Sequence, residues 1–220
     1  MSISFFLTIL SGISWTIVYI DGLRLGLRDK SYAMPLWALG LNISWELIHF
    51  VLGARMAGYT PQVIINGIWF LFDIGLIYTY FRFGHKYFPK GFKPVWFYVW
   101  GTLVLMVTFT VQVAFVLEFD IAMAATYAAY LQNLLMSVLF IQMLLQRGNR
   151  EGQSMMIAVC KFIGSLAPTI SFGVLGGGPF PEPLRFVLII GALMAVFDLI
   201  YIVMLAKTLP ESSSAPITGQ

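Results

Sequence analysis

Three of the ten acidic residues lie deep inside apolar runs: Glu46, Asp73 and Asp198. Glu46 is central to the stretch from Pro35 to Gly53, which holds no other charge. An ionised carboxylate at the middle of a membrane span costs about 2.5–3.5 kcal/mol on insertion scales. Glu46 should therefore face the bundle interior and be held neutral, which makes it a proton donor in an apolar chamber. Its simplest structural alternative is a hydrogen bond to His49, one turn further along the same face.

Depth can be reckoned from helical rise. Glu46 is eleven residues from Pro35, Asp73 nine from Arg82, and Asp198 nine from Lys207. At about 1.5 Å per residue, each acid stands ~13–17 Å from the same end of its helix. The reckoning puts three carboxyls on one level with no basic partner there, the nearest cation, Lys161, being lower. Left ionised together they would repel, so at least one should be protonated.

Aromatic residues cluster near that level: Trp15, Tyr19, Trp45, Trp69, Phe72, Tyr127, Tyr130, Phe172, Phe197 and Tyr201. Taken singly, most would be packing or lipid-contact residues. Taken together, ring faces around a neutral acid suit a carbocation, because a ring quadrupole attracts positive charge without supplying a nucleophile. Asn42, Gln132 and Asn133 are mid-helix polar groups suited to interhelical hydrogen bonds.

Several chemistries are excluded. No two acids are adjacent, so an aspartate-rich Mg²⁺–diphosphate motif is lacking. The two histidines, His49 and His85, fall at opposite membrane levels and cannot form a shared zinc or haem site. The last helix has no central lysine for a retinal Schiff base. Cys160 is the one cysteine, which excludes a disulfide framework. A net charge of +3, confined largely to loops, does not suggest nucleic acid.

The elements that must position these acids are membrane helices. The chain is 59% hydrophobic and 10% charged, against ~25% charged in soluble domains. Seven apolar segments of spanning length follow: Ile3–Ile20, Pro35–Gly53, Val63–Phe81, Val95–Leu117, Ile121–Leu145, Met155–Val174 and Leu184–Leu205. They do not alternate as barrel strands would. The predicted fold is an all-α, seven-helix bundle in one membrane domain, residues 1–209, with a polar, disordered cytosolic tail at 210–220. The first run lacks a basic leader and should be retained as a helix.

Ten of the thirteen basic residues fall at one level: Arg24, Arg28 and Lys30; Arg82, Lys86, Lys90 and Lys93; Arg147 and Arg150; and Lys207. The positive-inside rule then puts the N-terminus outside and the C-terminus in the cytosol. Lys161 should snorkel to the cytosolic interface. Pro168 predicts a kink in the sixth helix. The Gly- and Pro-rich stretch 176–183 reads as an outer turn, and Gly173 and Gly177 are spaced for close helix contact.

Two motifs are more specific. One is Tyr32-x-Met34-Pro35, six residues, then Asn42-Ile43-x-Trp45-Glu46. The other is Gln132-Asn133-Leu134-Leu135-Met136-Ser137-Val138, followed by Gln142-x-Leu144-Leu145-x-Arg147-Gly148-x-x-Arg150-x-Gly152-x-Ser154 and Lys161-Phe162-Ile163-Gly164-Ser165. With Phe197-Asp198 and Tyr201, these make nearly the whole chain resemble the integral-membrane terpene cyclases of paxilline-pathway and fungal meroterpenoid type, with their bacterial relatives. Lys161 stands where that family carries arginine.

The resemblance implies catalytic roles for Glu46 and Asp198. It implies a substrate chamber drawn from Trp15, Tyr19, Asn42, Trp45, Trp69, Asp73, Asn133, Phe197 and Tyr201. Asp73, an amide in some relatives, is expected to support a polar network. The implied reaction is metal-independent protonation of a terminal epoxide or alkene on a prenyl chain, followed by polyene cyclisation, with no metal or redox cofactor. The expected partners are a hydrophobic prenylated small molecule and the lipid bilayer, with no nucleic acid and no obligate protein partner. The expected membrane is a bacterial inner membrane or the endoplasmic reticulum. The alternative is a small proton-coupled transporter that uses the same acids as a relay. Such a protein should show an internal repeat, and the Phe-Asp pairs at 72–73 and 197–198 are too short to be one.

Overall fold

A computed structural model describes residues 3–208. The expected tail at 210–220 lies outside the described residues. Those residues form seven helices and no strand: α1 (Ile3–Arg28), α2 (Leu36–Ala57), α3 (Pro61–Phe83), α4 (Pro94–Glu118), α5 (Ile121–Arg147), α6 (Met155–Gly173) and α7 (Arg185–Lys207). All seven are long and apolar enough to cross a membrane. A short 3-10 turn, Gly84–Tyr87, follows α3.

Local chemistry fixes the helix ends. Thr60 caps α3 through Val63 N–H, with Pro61 in the first turn. Asp120 accepts from the N–H groups of Ala122 and Met123 to start α5, and Ser154 accepts from Ile157 N–H to start α6. Gly148 closes α5 in the left-handed conformation. α1 runs past its expected end at Ile20 to Arg28. Its extra turns are anchored by Asp21, which pairs with Arg24 and accepts from Ser154 Oγ at 2.5 Å.

Packing neighbours form a closed circuit: α1 lies on α6, α6 on α7, α7 on α5, α5 on α2, α2 on α3, and α3 on α1. α4 packs outside this circuit against α2 and α5. Small residues let the helices approach. A Cβ on Gly191 would meet Thr169 at 2.2 Å, and one on Gly173 would meet the Leu188 backbone at 2.9 Å. The spacing of Gly173 thus serves α6–α7 contact within the chain.

α6 continues through Pro168 rather than ending there. A proline removes the N–H that would bond the carbonyl four residues back, here Gly164. Ser11 Oγ of α1 donates to that carbonyl at 2.7 Å. The same Gly164 has no side chain to exclude the Trp15 ring, which lies 2.9 Å from where a Cβ would stand.

The loops carrying the basic residues gather at one end. Arg147 donates to the carbonyls of Tyr32 and Glu151, and its guanidinium lies 4.4 Å from the ring centroids of both Tyr32 and Tyr87. Lys86 pairs with Glu151, and Gly152 N–H donates to Asp29. Gly152 has φ +68°, and a Cβ there would sit 2.7 Å from the Tyr32 carbonyl.

Two outcomes follow for stability in detergent. Gly152→Ala combines strain and collision and should cost about 1–3 kcal/mol, whereas Gly12→Ala, with nothing within 4 Å of the new Cβ, should add about 0.5–1 kcal/mol. Thermal unfolding of both variants checks this. Burial works against the Asp29 charge, but hydrogen bonds from Arg28 and Gly152 N–H outweigh it and hold the carboxyl below its usual range. That stabilisation is full above the ordinary Asp value of ~3.9 and fades as pH falls through the lowered one. The acid limb of a melting-temperature profile should therefore be shallower in Asp29→Asn.

Candidate active site

The predicted acids separate into two polar groups. The first joins α1, α2 and α3. Glu46 is 3% exposed and Asp73 fully buried. Asn42 stands one turn before Glu46 on α2 and donates to Asp73 Oδ2 at 2.8 Å and to the Tyr19 hydroxyl at 2.5 Å. The Tyr19 ring stacks on Trp69 and Phe72, with centroids 5.7 and 5.9 Å away. Trp69 Nε1 is fixed by Thr16 Oγ1 at 3.1 Å.

Glu46 makes no hydrogen bond among the described residues, and its Oε2 is buried without a partner. The expected bond to His49 does not form. His49 instead lies against Trp45, with ring centroids 4.5 Å apart, and Trp45 Nε1 donates to the Ala125 carbonyl of α5. Asp73 Oδ1 is likewise unpartnered. Burying an unpaired charge costs far more than burying the neutral acid, so this pocket favours protonated carboxyls.

The second group joins α5, α6 and α7 and corrects the expectation for Lys161. That residue does not snorkel to the interface; it is fully buried and donates to Asp198 Oδ1 at 2.7 Å and Ser137 Oγ at 2.6 Å. Asp198, 1% exposed, therefore has a cation at its own level, and only its Oδ2 is left unpartnered. Asp198 has an ammonium as its direct partner and Glu46 has none, so the two acids occupy different electrostatic settings. Asp198 is thus tied to a cation rather than joined to the carboxyl pair of Glu46 and Asp73.

The remaining candidates fall around these groups. Trp15 lies one turn before Tyr19 on α1 and packs against Gly164. Asn133 donates to Ser165 Oγ at 2.9 Å and leaves its Oδ1 buried and free. Phe197 is half-buried beside Asp198. Tyr201 is buried nearer the basic end, where it packs on Phe140 and donates to Gln153. Gln132 bridges toward the first group, reaching Asn42 Oδ1 at 3.4 Å and accepting from Gln112 at 2.6 Å.

Comparison with known proteins places this geometry. A match to the Pyr4-like transmembrane terpene cyclases extends over residues 1–209. The chain belongs to that family. It is 34% identical over 171 residues to the Pyr4-family terpene cyclase mfmH of Annulohypoxylon moriforme, an alignment covering 76% of this chain and 68% of mfmH. Terpene cyclase macJ of Penicillium terrestre is 32% identical over 177 residues, covering 75% of this chain and 64% of the relative. Terpene cyclase atmB of Aspergillus flavus is 28% identical over 165 residues, covering 73% and 65%. Against these relatives the chain spans about two thirds of their length. No solved structure matches it.

In this cyclase scaffold the buried pair can be weighed by a double-mutant cycle. Lys161→Met alone should destabilise by about 3–5 kcal/mol because Asp198 is then buried without its partner, whereas Lys161→Met with Asp198→Leu should cost much less than the sum of the single changes. Unfolding in mixed detergent micelles measures all four corners.

Proposed function

We propose that this chain is an acid-initiated terpene cyclase in which Glu46 donates the starting proton to a terminal epoxide or alkene of a prenyl chain. The observation that carries this reading is the buried Glu46 carboxyl, without a hydrogen-bond partner among the described residues, one turn from the Asn42 that holds Asp73 and Tyr19. The proton adds to the epoxide oxygen or to an alkene carbon. Electrons of the next double bond then close a ring, and cationic character passes along the chain. Loss of a proton ends the sequence, so the product has the substrate's mass unless water captures the cation. General acid catalysis of this kind contributes typically 10²–10⁴-fold, and a folded pose supplies the proximity term.

The two acids divide the work. Tyr19, Trp69 and Phe72 present ring faces on which cationic character is stabilised. Asp73, held by Asn42, shares the proton inventory with Glu46 and is the neighbour from which Glu46 regains its proton. Asp198 is tied to Lys161 through Oδ1, and its free Oδ2 suits it to steady the later cation or accept the final proton. Asn133 and Phe197 line that side. Trp15 and Trp45 flank the chamber, and Tyr201 bounds it at the basic end. No metal is assigned a step.

The substrate is hydrophobic and prenylated, and it reaches the chamber from the bilayer. The basic end faces the cytosol of an endoplasmic reticulum or bacterial inner membrane, with the N-terminus on the opposite side. No nucleic acid and no obligate protein partner enter the reaction.

Membranes holding wild type, Glu46→Gln, Asp73→Asn and Asp198→Asn, supplied with prenylated aromatics with and without a terminal epoxide, test the assignment. Glu46→Gln should lower turnover about 10²–10⁴-fold at unchanged expression, and Asp73→Asn should lower it less. Product masses read by chromatography distinguish simple cyclisation from hydration. Wild-type turnover that survives Glu46→Gln would move the donor to Asp73.

A further inference from the structure

α4 stands outside the circuit of packed helices, yet it sends a polar side chain into the bundle. Gln112 is buried, and its Nε2 donates to the Leu41 carbonyl of α2 at 3.2 Å and to Gln132 Oε1 of α5 at 2.6 Å. Among the described residues, these are the side-chain hydrogen bonds that α4 gives to other helices. Gln132 Nε2 continues the series to Asn42 Oδ1 at 3.4 Å, and Asn42 Nδ2 donates to Asp73 Oδ2 and to the Tyr19 hydroxyl. All five side chains of the series are buried.

The direction of the series has one origin. A backbone carbonyl can only accept, so the group that Gln112 turns to Leu41 is its NH₂. The second proton of that NH₂ goes to Gln132, which meets it with oxygen and turns its own NH₂ to Asn42. Asn42 therefore meets Gln132 with oxygen, and Asp73 and Tyr19 with its two N–H bonds. Gln112 keeps this orientation although its Oε1 is left buried and unpartnered. Turning the amide over would set oxygen against the Leu41 carbonyl oxygen, with no water in the bilayer core to relieve the contact.

The consequence falls on two protons. Both N–H bonds of Asn42 are spent, so Asp73 Oδ2 and the Tyr19 oxygen are acceptors. A neutral Asp73 then carries its proton on Oδ1, the oxygen that is buried without a partner. The Tyr19 O–H likewise has no acceptor among the described residues. We propose that Gln112 and Gln132 are positioning residues of the cyclase, which act through Asn42 to keep the protons of Asp73 and Tyr19 free for Glu46, one turn along α2. The proposal rests on the cyclase reading and deepens it. After Glu46 protonates the substrate, its carboxylate takes the Oδ1 proton and leaves Asp73 an anion whose Oδ2 is already bonded to Asn42. No amide has to turn during the exchange. The proton that the cyclised cation gives up balances the one that Asp73 has lost.

Infrared spectra of the full chain in lipid nanodiscs test this without turnover, because the C=O stretch of a protonated carboxyl falls when its oxygen accepts a hydrogen bond. Asp73→Asn and Glu46→Gln assign the two bands. In wild type the Asp73 band should lie below the Glu46 band. It should move in Gln112→Leu and in Gln132→Leu while the Glu46 band stays in place. In membranes turning over a prenylated aromatic, the same two variants should lower kcat about five- to tenfold with KM unchanged, the rate equivalent of one neutral hydrogen bond. Gln132→Glu, which as a neutral acid accepts from Gln112 and donates to Asn42, should restore both the band and the rate. An Asp73 band unmoved in both leucine variants would overturn the proposal. So would equal loss of rate in Gln132→Leu and Gln132→Glu, which would show a packing effect instead of a directed series. A wild type with the expected bands that cyclises nothing would count against the acid reading and leave the amide series standing.

Discussion

The hydrocarbon core of a bilayer gives a polar side chain no water to fall back on, so each one within it must be paired, neutral or exposed to a ligand. This chain uses the first two solutions on neighbouring helices. Asp198 is paired, by a lysine buried as completely as itself. Glu46 and Asp73 are placed where neutrality is the inexpensive state, with no cation bonded to either. A protein needing only stability would replace such groups with leucine, since buried ion pairs add little net stability over an apolar packing. The proposed acid-initiated reaction is a use for such groups that stability alone does not supply.

The helix that connects these solutions is α5. Gln132 and Asn133 are adjacent, and a rotation of about 100° per residue sends them to different neighbours. Gln132 joins Asn42 and Gln112, whereas Asn133 joins Ser165, and one turn later Ser137 receives the Lys161 ammonium. Further along, the same helix ends in Arg147, which clamps the loops. A shift of α5 along its axis would therefore disturb the Asn42 network and the Lys161–Asp198 pair together. The caps at Asp120 and Gly148, with the Arg147 clamp, oppose such a shift.

Much of this was legible from residue types alone. Apolar runs longer than a bilayer's width located all seven helices, and the depth of each acid came from counting residues. The partner of Asp198 was misread because Lys161 was treated as a surface cation reaching outward. By the same counting, Lys161 is six residues, or ~9 Å, into α6 and Asp198 is ~13 Å into α7. That difference is within the length of a lysine side chain, so the signal was present; what a linear chain does not show is that α6 and α7 are neighbours facing one another. The free state of Glu46 was hidden for a related reason. His49 is one turn away in sequence, yet Trp45 takes up its ring.

The α1–α6 seam shows how a fold-level constraint reaches the chemistry. Pro168 gives up an N–H and leaves the Gly164 carbonyl unpaired in lipid, a cost met only because Ser11 of α1 lies against it. Gly164 in turn admits Trp15, and Trp15 stands one turn before Tyr19 on the same helix. Fixing α1 against α6 thus sets the height of Tyr19, whose hydroxyl meets Asn42 and whose ring forms a stack with Trp69 and Phe72. The proline is therefore better understood as a lock between two helices than as a hinge within one. Its effect is felt at Glu46, two helices away, through a tyrosine whose position a looser α1 would leave undefined.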